Sequence, residues 1–167
     1  NIKVTGEFRF DQEIPENLVK AGKKIKAHSF LQNKQIFIFY SVGLEEAELY
    51  IKAVNKIISI AKKRNDPKPF FIFVPRAPET FQKIFNLINA TKLICERRSD
   101  IFDANLNLVC EKRFKSSDVL LGDSFGEMFF YLAIAQTAIA GGGFDKSGAH
   151  NIIEPLMLGL RVLVGPY

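Results

Sequence analysis

Two short aromatic-rich runs, separated by a long segment with helical periodicity, constrain the fold of this chain most. Residues 36–40 (IFIFY) and residues 70–74 (FFIFV) are hydrophobic at every position, so a strand formed by either run would be apolar on both faces. Such strands are typical of a parallel sheet that helices cover on both sides. Residues 44–64 carry apolar side chains at helical spacing, and the prolines at positions 67 and 69 end that helix. The pattern predicts a strand–helix–strand unit.

The same alternation continues to the end of the chain. Further strands are predicted at residues 93–95, 118–121, 137–140 and 161–164, and further helices at residues 78–88, 125–135 and 151–158. Strands that alternate with helices at this spacing indicate right-handed crossovers and a parallel sheet. The sequence therefore predicts a doubly wound, Rossmann-like α/β domain. Residues 1–10 and a basic helix around residues 16–30 precede the alternation, and we expect them to lead into the domain.

Composition narrows the function classes only slightly. The net charge is +5 and the pI is about 9.2, which suits an anionic substrate or membrane surface, although solvated helix faces explain scattered lysines equally well. Cys95 and Cys110 lack the spacing and the histidine partners of a metal site, which favours a reducing compartment. No apolar stretch reaches the ~20 residues that cross a bilayer. We expect a soluble fragment, truncated at both ends.

Polar and glycine-rich segments follow three of the predicted strands. They are Pro75 with Arg76, residues 122–128 (GDSFGEM), and residues 141–154, which contain three glycines and then SGAHNIIE. Ligands of open parallel sheets bind at the carboxyl ends of the strands, so these segments are predicted to meet at one edge. Each segment also has a structural explanation, as a surface ion pair, a flexible turn or a helix cap.

The residue types at this edge are those that bind a nucleotide. Glycine backbone allows close approach, and the N–H groups at helix N-termini bind phosphate. Arg76 can form a charge-assisted bond to a phosphate or carboxylate, and the Glu154 carboxylate can accept bonds from two ribose hydroxyls. The edge therefore predicts a site for a phosphate and a ribose.

Taken together, the motifs resemble the C-terminal half of the Kdo transferases, which attach 3-deoxy-D-manno-octulosonic acid (Kdo). The segments that carry the resemblance are residues 74–79 (VPRAPE), 122–128, 141–142, 148–155 (GAHNIIEP) and 164–166 (VGP). The similarity runs from residue 4 to Tyr167. It implies the GT-B architecture, two Rossmann-like domains facing across a cleft. Residues 1–167 would then be the C-terminal domain that binds the nucleotide sugar, and the N-terminal acceptor domain would be absent.

The resemblance also implies an activity. Family members transfer Kdo from CMP-Kdo to the lipid A precursor in lipopolysaccharide biosynthesis, at the cytoplasmic face of the inner membrane and without a metal or other cofactor. In this family the catalytic base, the acceptor site and the membrane-associating surface lie in the N-terminal domain. The resemblance therefore implies no catalytic residue here, and a fragment that binds donor without turnover.

The donor-binding residues follow from the matching motifs. The resemblance implies that the residues after the second strand contact the cytidine nucleotide. It also implies that the turn at residues 122–128 binds CMP and that the last helix contacts the ribose. The residues are Pro75, Arg76, Gly126, Glu127, Met128, Asn151, Ile152, Ile153 and Glu154. Three positions depart from the family pattern: Ala77 stands in place of His, residues 41–46 (SVGLEE) form a shorter motif that lacks its His, and Gly148-Ala149 replaces Gly-Gly.

Two other functions stay open at this point. The chain has the features of a donor domain from another GT-B transferase that uses a different nucleotide sugar. A basic nucleic-acid-binding module is disfavoured because the aromatic residues lie inside apolar runs, whereas stacking platforms interleave them with exposed Lys and Arg. We expect no nucleic-acid partner.

Overall fold

The computed structural model describes residues 2–3, 12–146 and 148–167. Its strands are β1 (Ile36–Val42), β2 (Phe70–Pro75), β3 (Cys95–Arg97), β4 (Val119–Leu121), β5 (Thr137–Ala140) and β6 (Arg161–Leu163). Its α-helices are α1 (Glu16–Lys26), α2 (Leu44–Lys63), α3 (Phe81–Asn89), α4 (Arg98–Ile101), α5 (Glu111–Ser116), α6 (Met128–Ile134) and α7 (Ile153–Met157). Short 3₁₀ turns cover Ser29–Leu31 and Pro78–Thr80.

The six strands form one sheet in the order β3-β4-β2-β1-β5-β6, and every neighbouring pair is parallel. The chain passes from β1 to β2 on one side and later returns to β5 on the other side of β1. Ligands of open α/β sheets bind in the crevice at such a reversal. The predicted doubly wound α/β fold is confirmed.

Successive residues of β1 face opposite sides of the sheet. Ile38 and Tyr40 belong to the core cluster that includes residues of α1 and α6, whereas Phe39 belongs to the cluster formed with α2 and α3. Helices therefore cover both faces, which is why this strand is hydrophobic at every position.

Helix α1 precedes the alternation of strands and helices, as expected, but it is part of the core. Its side chains Val19 and Ile25 are buried, and Gly22 lies against α6 so closely that a Cβ there would be 2.4 Å from the Phe130 carbonyl oxygen. Residues 4–10 of the predicted leading segment lie outside the described residues. No helix in the described ranges is long and apolar enough to cross a membrane.

Several boundaries differ from those predicted. Strand β3 begins at Cys95, where the predicted strand ends, and the unpredicted helices α4 and α5 lie between β3 and β4. Helix α6 starts three residues late because Gly126 has a φ of 71°, which an α-helix does not allow. Helix α7 starts two residues late, at Ile153, and the Ile153 N–H donates to the Asn151 side chain that precedes the helix.

Candidate functional site

Arg76 lies at the carboxyl edge of the sheet, directly after β2. Its backbone N–H donates to the Val42 carbonyl oxygen at the end of β1, at 3.0 Å. This bond fixes the position of the Arg76 backbone next to β1. The residue is exposed, and the described residues offer its guanidinium no ion pair. A guanidinium in this position, without an ion pair in the described part of the chain, can bind an anion.

The glycine-rich segment after β5 is held by a buried carboxylate. Glu46 in α2 is 3% exposed, and it accepts hydrogen bonds from the N–H groups of Gly142 at 2.7 Å and Phe144 at 2.9 Å. Two backbone donors are thereby satisfied away from water. The loop backbone is consequently fixed at the carboxyl edge without a ligand.

His150 lies next to this glycine segment and near Arg76. Its backbone N–H donates to the Gly141 carbonyl oxygen at 2.9 Å. Its ring lies against Gly142, where an added Cβ would be 3.0 Å from the His150 Nε2. Burial lowers the pKa of His150, the Arg76 charge lowers it further, and the Glu46 carboxylate opposes both. Neutral imidazole is therefore the favoured form, with Arg76 as the main positive charge nearby.

Glu154 lies in a half-buried position beside Tyr40 and Asn151. The Tyr40 hydroxyl donates to the Asn151 carbonyl oxygen at 2.9 Å. Burial raises the pKa of the Glu154 carboxyl, and a hydrogen bond from the Asn151 side chain opposes that shift. Burial also raises the pKa of Tyr40, with a smaller contribution from the Glu154 charge. A carboxylate in this setting is poorly solvated, so hydroxyl donors from a ligand would stabilise it.

A cavity of about 360 Å³ brings together three of the predicted site residues. Gly126, Met128 and Glu154 line it, together with Phe129 and residues 12–15. Sequence reasoning missed residues 12–15, because nothing in their composition marks a ligand site. Arg76 does not line this cavity and lies instead near His150.

Other predicted residues present little side-chain surface. Pro75 and Ile153 are buried, and the Ile153 N–H is already accepted by Asn151 Oδ1 at 2.9 Å. Ile152, by contrast, is exposed. Ser147, which belongs to the predicted motif, lies outside the described residues.

The Glu127 carboxylate is already paired. Arg98 donates to it from Nε at 2.8 Å and from Nη2 at 2.7 Å, and the Ser124 hydroxyl donates at 2.5 Å. Sequence reasoning missed Arg98, although it follows β3 just as Arg76 follows β2. The third strand was predicted two residues too early, so Arg98 did not directly follow the predicted strand.

The described residues contain no group of three or more His, Cys, Asp or Glu side chains that could hold a metal ion. Both cysteines are free thiols, and burial raises the pKa of Cys95 to about 12. Arg76 and Glu154 are ionisable groups of opposite sign at the carboxyl edge.

The chain is similar to several curated proteins. It is 32% identical over 164 residues to the 3-deoxy-D-manno-octulosonic acid transferase of Bordetella pertussis, covering 98% of this chain and 35% of that protein. It is 42% identical over 150 residues to the protein of the same name from Aquifex aeolicus, covering 90% of this chain and 36% of that protein. The chain thus spans about a third of the length of the curated relatives it matches. No protein-family model matches it.

A solved structure has the same fold. The C-terminal CMP-Kdo binding domain of WaaA from Acinetobacter baumannii superimposes with a TM-score of 0.74 at 28% identity, over 90% of this chain and 72% of that domain. Sequence and fold therefore agree with the motif resemblance. The chain belongs to the 3-deoxy-D-manno-octulosonic acid transferase family and corresponds to the C-terminal, Rossmann-like domain of its GT-B architecture.

Proposed function

We propose that this chain is the domain of a Kdo transferase that binds the donor, CMP-Kdo. The observation that carries the proposal is the arrangement at the carboxyl edge of the sheet. Arg76 is exposed, has no ion pair among the described residues, and acts electrostatically on His150, which hydrogen-bonds through its backbone to the glycine segment that Glu46 holds in place. Gly126, Met128 and Glu154 line one cavity. This edge is where an α/β sheet binds a nucleotide.

Each group has a role that its chemistry supports. Arg76 pairs with the donor phosphate, since its guanidinium has no competing carboxylate among the described residues. Glu154 accepts the ribose hydroxyls, since a carboxylate is a double acceptor. The backbone at Gly126 and Met128 borders the cavity and contacts the nucleotide there. Pro75 and residues 151–153 contribute through backbone and packing.

Arg76 also has a role in transfer by the whole protein. When an acceptor hydroxyl attacks the anomeric carbon of Kdo, the bond to the CMP phosphate breaks and the leaving phosphate gains negative charge. A fixed cation next to that phosphate stabilises the transition state more than the ground state. The position of Arg76 directly after β2 supports this role.

The rest of the reaction belongs to the longer protein. Since the curated relatives are about three times as long as this chain, we assign the acceptor site, the general base and the contact with the inner membrane to the remainder. The acceptor is the lipid A precursor, and transfer takes place at the cytoplasmic face. The present chain then binds donor without transferring it.

The test is calorimetric titration of the purified chain with CMP, UMP and UDP. We expect CMP to bind more tightly than UMP, because the two differ only in the base and the site is proposed to select cytidine. A preference for UDP would assign the chain to a transferase with a different nucleotide sugar. No binding of any of the three would contradict donor binding by this chain.

A further inference from the structure

The loop that follows β4, residues 122–127, is hydrogen-bonded to α4 at both ends. At its start, Asp123 accepts the Ser99 N–H at 3.0 Å and the Ser99 hydroxyl at 2.6 Å. At its end, Glu127 accepts the two Arg98 bonds described above. Two consecutive residues of one short helix therefore anchor both ends of the loop.

The Arg98 anchor is the more specific of the two. The side chains of Arg98 and Glu127 are 10% and 18% exposed, and Arg98 Nη1 also donates to the Phe102 carbonyl oxygen at 3.3 Å. The planar guanidinium meets the carboxylate with two parallel bonds, a geometry that Lys cannot reproduce. The two bonds fix the orientation of Glu127, and loss of either partner would leave a partly buried charge uncompensated.

The segment between the anchors is exposed. Phe125 is 72% exposed, and Gly126 has no atom within 4 Å of the place where a Cβ would be. Within this segment the Ser124 hydroxyl also hydrogen-bonds to Glu127 and to the Tyr131 hydroxyl, each at 2.5 Å, so the described side-chain bonds of the loop converge on Glu127 and its partners. Gly126 and Met128, the neighbours of Glu127 on either side, both line the cavity that contains Glu154.

We propose that Arg98 is a positioning residue for the nucleotide site, which holds Glu127 so that Gly126 and Met128 border the cavity before ligand binds. The inference rests on the proposed function, because it assigns the cavity to the donor. A loop ordered in advance loses less conformational entropy when the ligand binds, and affinity rises accordingly. Arg98 itself touches no ligand in this arrangement.

The experiment uses the whole chain with Arg98→Lys and Arg98→Gln. Arg98→Lys keeps the charge that compensates Glu127 and loses the paired geometry, so it carries the test if Arg98→Gln fails to fold. The control is Arg113→Lys, since Arg113 pairs with Glu96 in β3 and with Asp100 in α4 itself, and neither of these ion pairs involves the loop. CMP affinity is measured by calorimetry, and hydrogen exchange of residues 122–128 is measured without ligand by mass spectrometry.

We expect Arg98→Lys to weaken CMP binding about tenfold and Arg98→Gln to weaken it further, because the loop must then be ordered by the ligand. Exchange of residues 122–128 should rise in both variants, whereas β1 and β2 should exchange as in the wild type. Arg113→Lys should change neither quantity.

Unchanged CMP affinity in Arg98→Lys would overturn the inference, and so would weakened binding with no rise in exchange of the loop. A wild-type chain that binds no CMP would refute the proposed function instead. That result is distinguishable because it is obtained before any variant is made.

Discussion

The Glu46 carboxylate accepts a 2.7 Å hydrogen bond from the backbone N–H of Gly142, although the two residues are 96 positions apart. Glu46 lies in the first turn of α2, directly after β1, and Gly142 follows β5. The bond therefore joins the start of α2 to the loop after β5, at the reversal of strand order. It fixes the glycine backbone in the crevice where the donor is proposed to bind.

Glu46→Ala should lower the free energy of unfolding by about 1–3 kcal/mol, because it leaves the Gly142 and Phe144 N–H groups without a partner. Urea denaturation followed by circular dichroism measures this change. Glu48→Ala, an exposed position on the same helix, is the control and should change stability by less than about 0.5 kcal/mol. Equal effects at the two positions would mean that the carboxylate does not hold the loop.

Arg76→Ala should weaken CMP binding by roughly 10- to 100-fold, the loss expected for a charge-assisted hydrogen bond. The thermal midpoint should stay close to that of the wild type, because the side chain is exposed and unpaired among the described residues. Calorimetric titration gives the affinity, and a melting curve gives the stability.

Arg64→Ala is the matched control for Arg76. Arg64 is also exposed, but it follows α2 at the opposite edge of the sheet. CMP affinity should be unchanged in this variant. A similar loss in both variants would indicate a general effect of net charge and would contradict a specific phosphate contact.

Glu154→Gln should be at least as stable as the wild type at neutral pH and should bind CMP less tightly. Burial raises the pKa of Glu154, so the folded state binds its proton more readily than the unfolded chain. The stability from that preference is fully present below the unfolded pKa of about 4.3, and it is lost as the pH rises through the folded pKa. At neutral pH the ionised carboxylate therefore disfavours folding.

Thermal unfolding of wild type and Glu154→Gln at about pH 4 and about pH 7 checks this sign. Any advantage of the variant should shrink toward the lower pH, where Glu154 becomes protonated in the unfolded chain as well. Glu48→Gln, at an exposed position, serves as the control. A variant that is less stable than the wild type only at neutral pH would contradict the prediction.

Gly22→Ala should destabilise the protein by about 1–3 kcal/mol, although Ala favours helices more than Gly does. The new methyl group would lie 2.4 Å from the Phe130 carbonyl oxygen and 2.7 Å from the Ala133 Cβ, so α1 and α6 would have to separate. Urea denaturation measures the loss. Ala27→Gly, at the exposed C-terminal end of α1, is the control that changes helix propensity without changing the contact with α6. A stabilising effect of Gly22→Ala would refute the close packing of α1 against α6.

Much of the architecture could be predicted because the information is local. Residues 36–40 and 70–74 are hydrophobic at every position, so they form strands covered on both faces. Arg76 follows such a strand and therefore lies at the carboxyl edge, whatever the order of the strands. The same reasoning failed at Arg98, since a three-residue strand carries too little periodicity to locate its end.

The sequence by itself determined the parallel α/β fold and the edge at which Arg76 and Glu154 lie, because strand periodicity and the residues after each strand are encoded in neighbouring positions. Only the tertiary structure decided which side chains meet across that edge. The Arg98–Glu127 pair, the Glu46–Gly142 bond and the contribution of residues 12–15 to the cavity all depend on strand order and helix packing. From the sequence alone, a charged residue is predicted to be exposed. Whether it is instead buried against a partner depends on how segments distant in the sequence pack together.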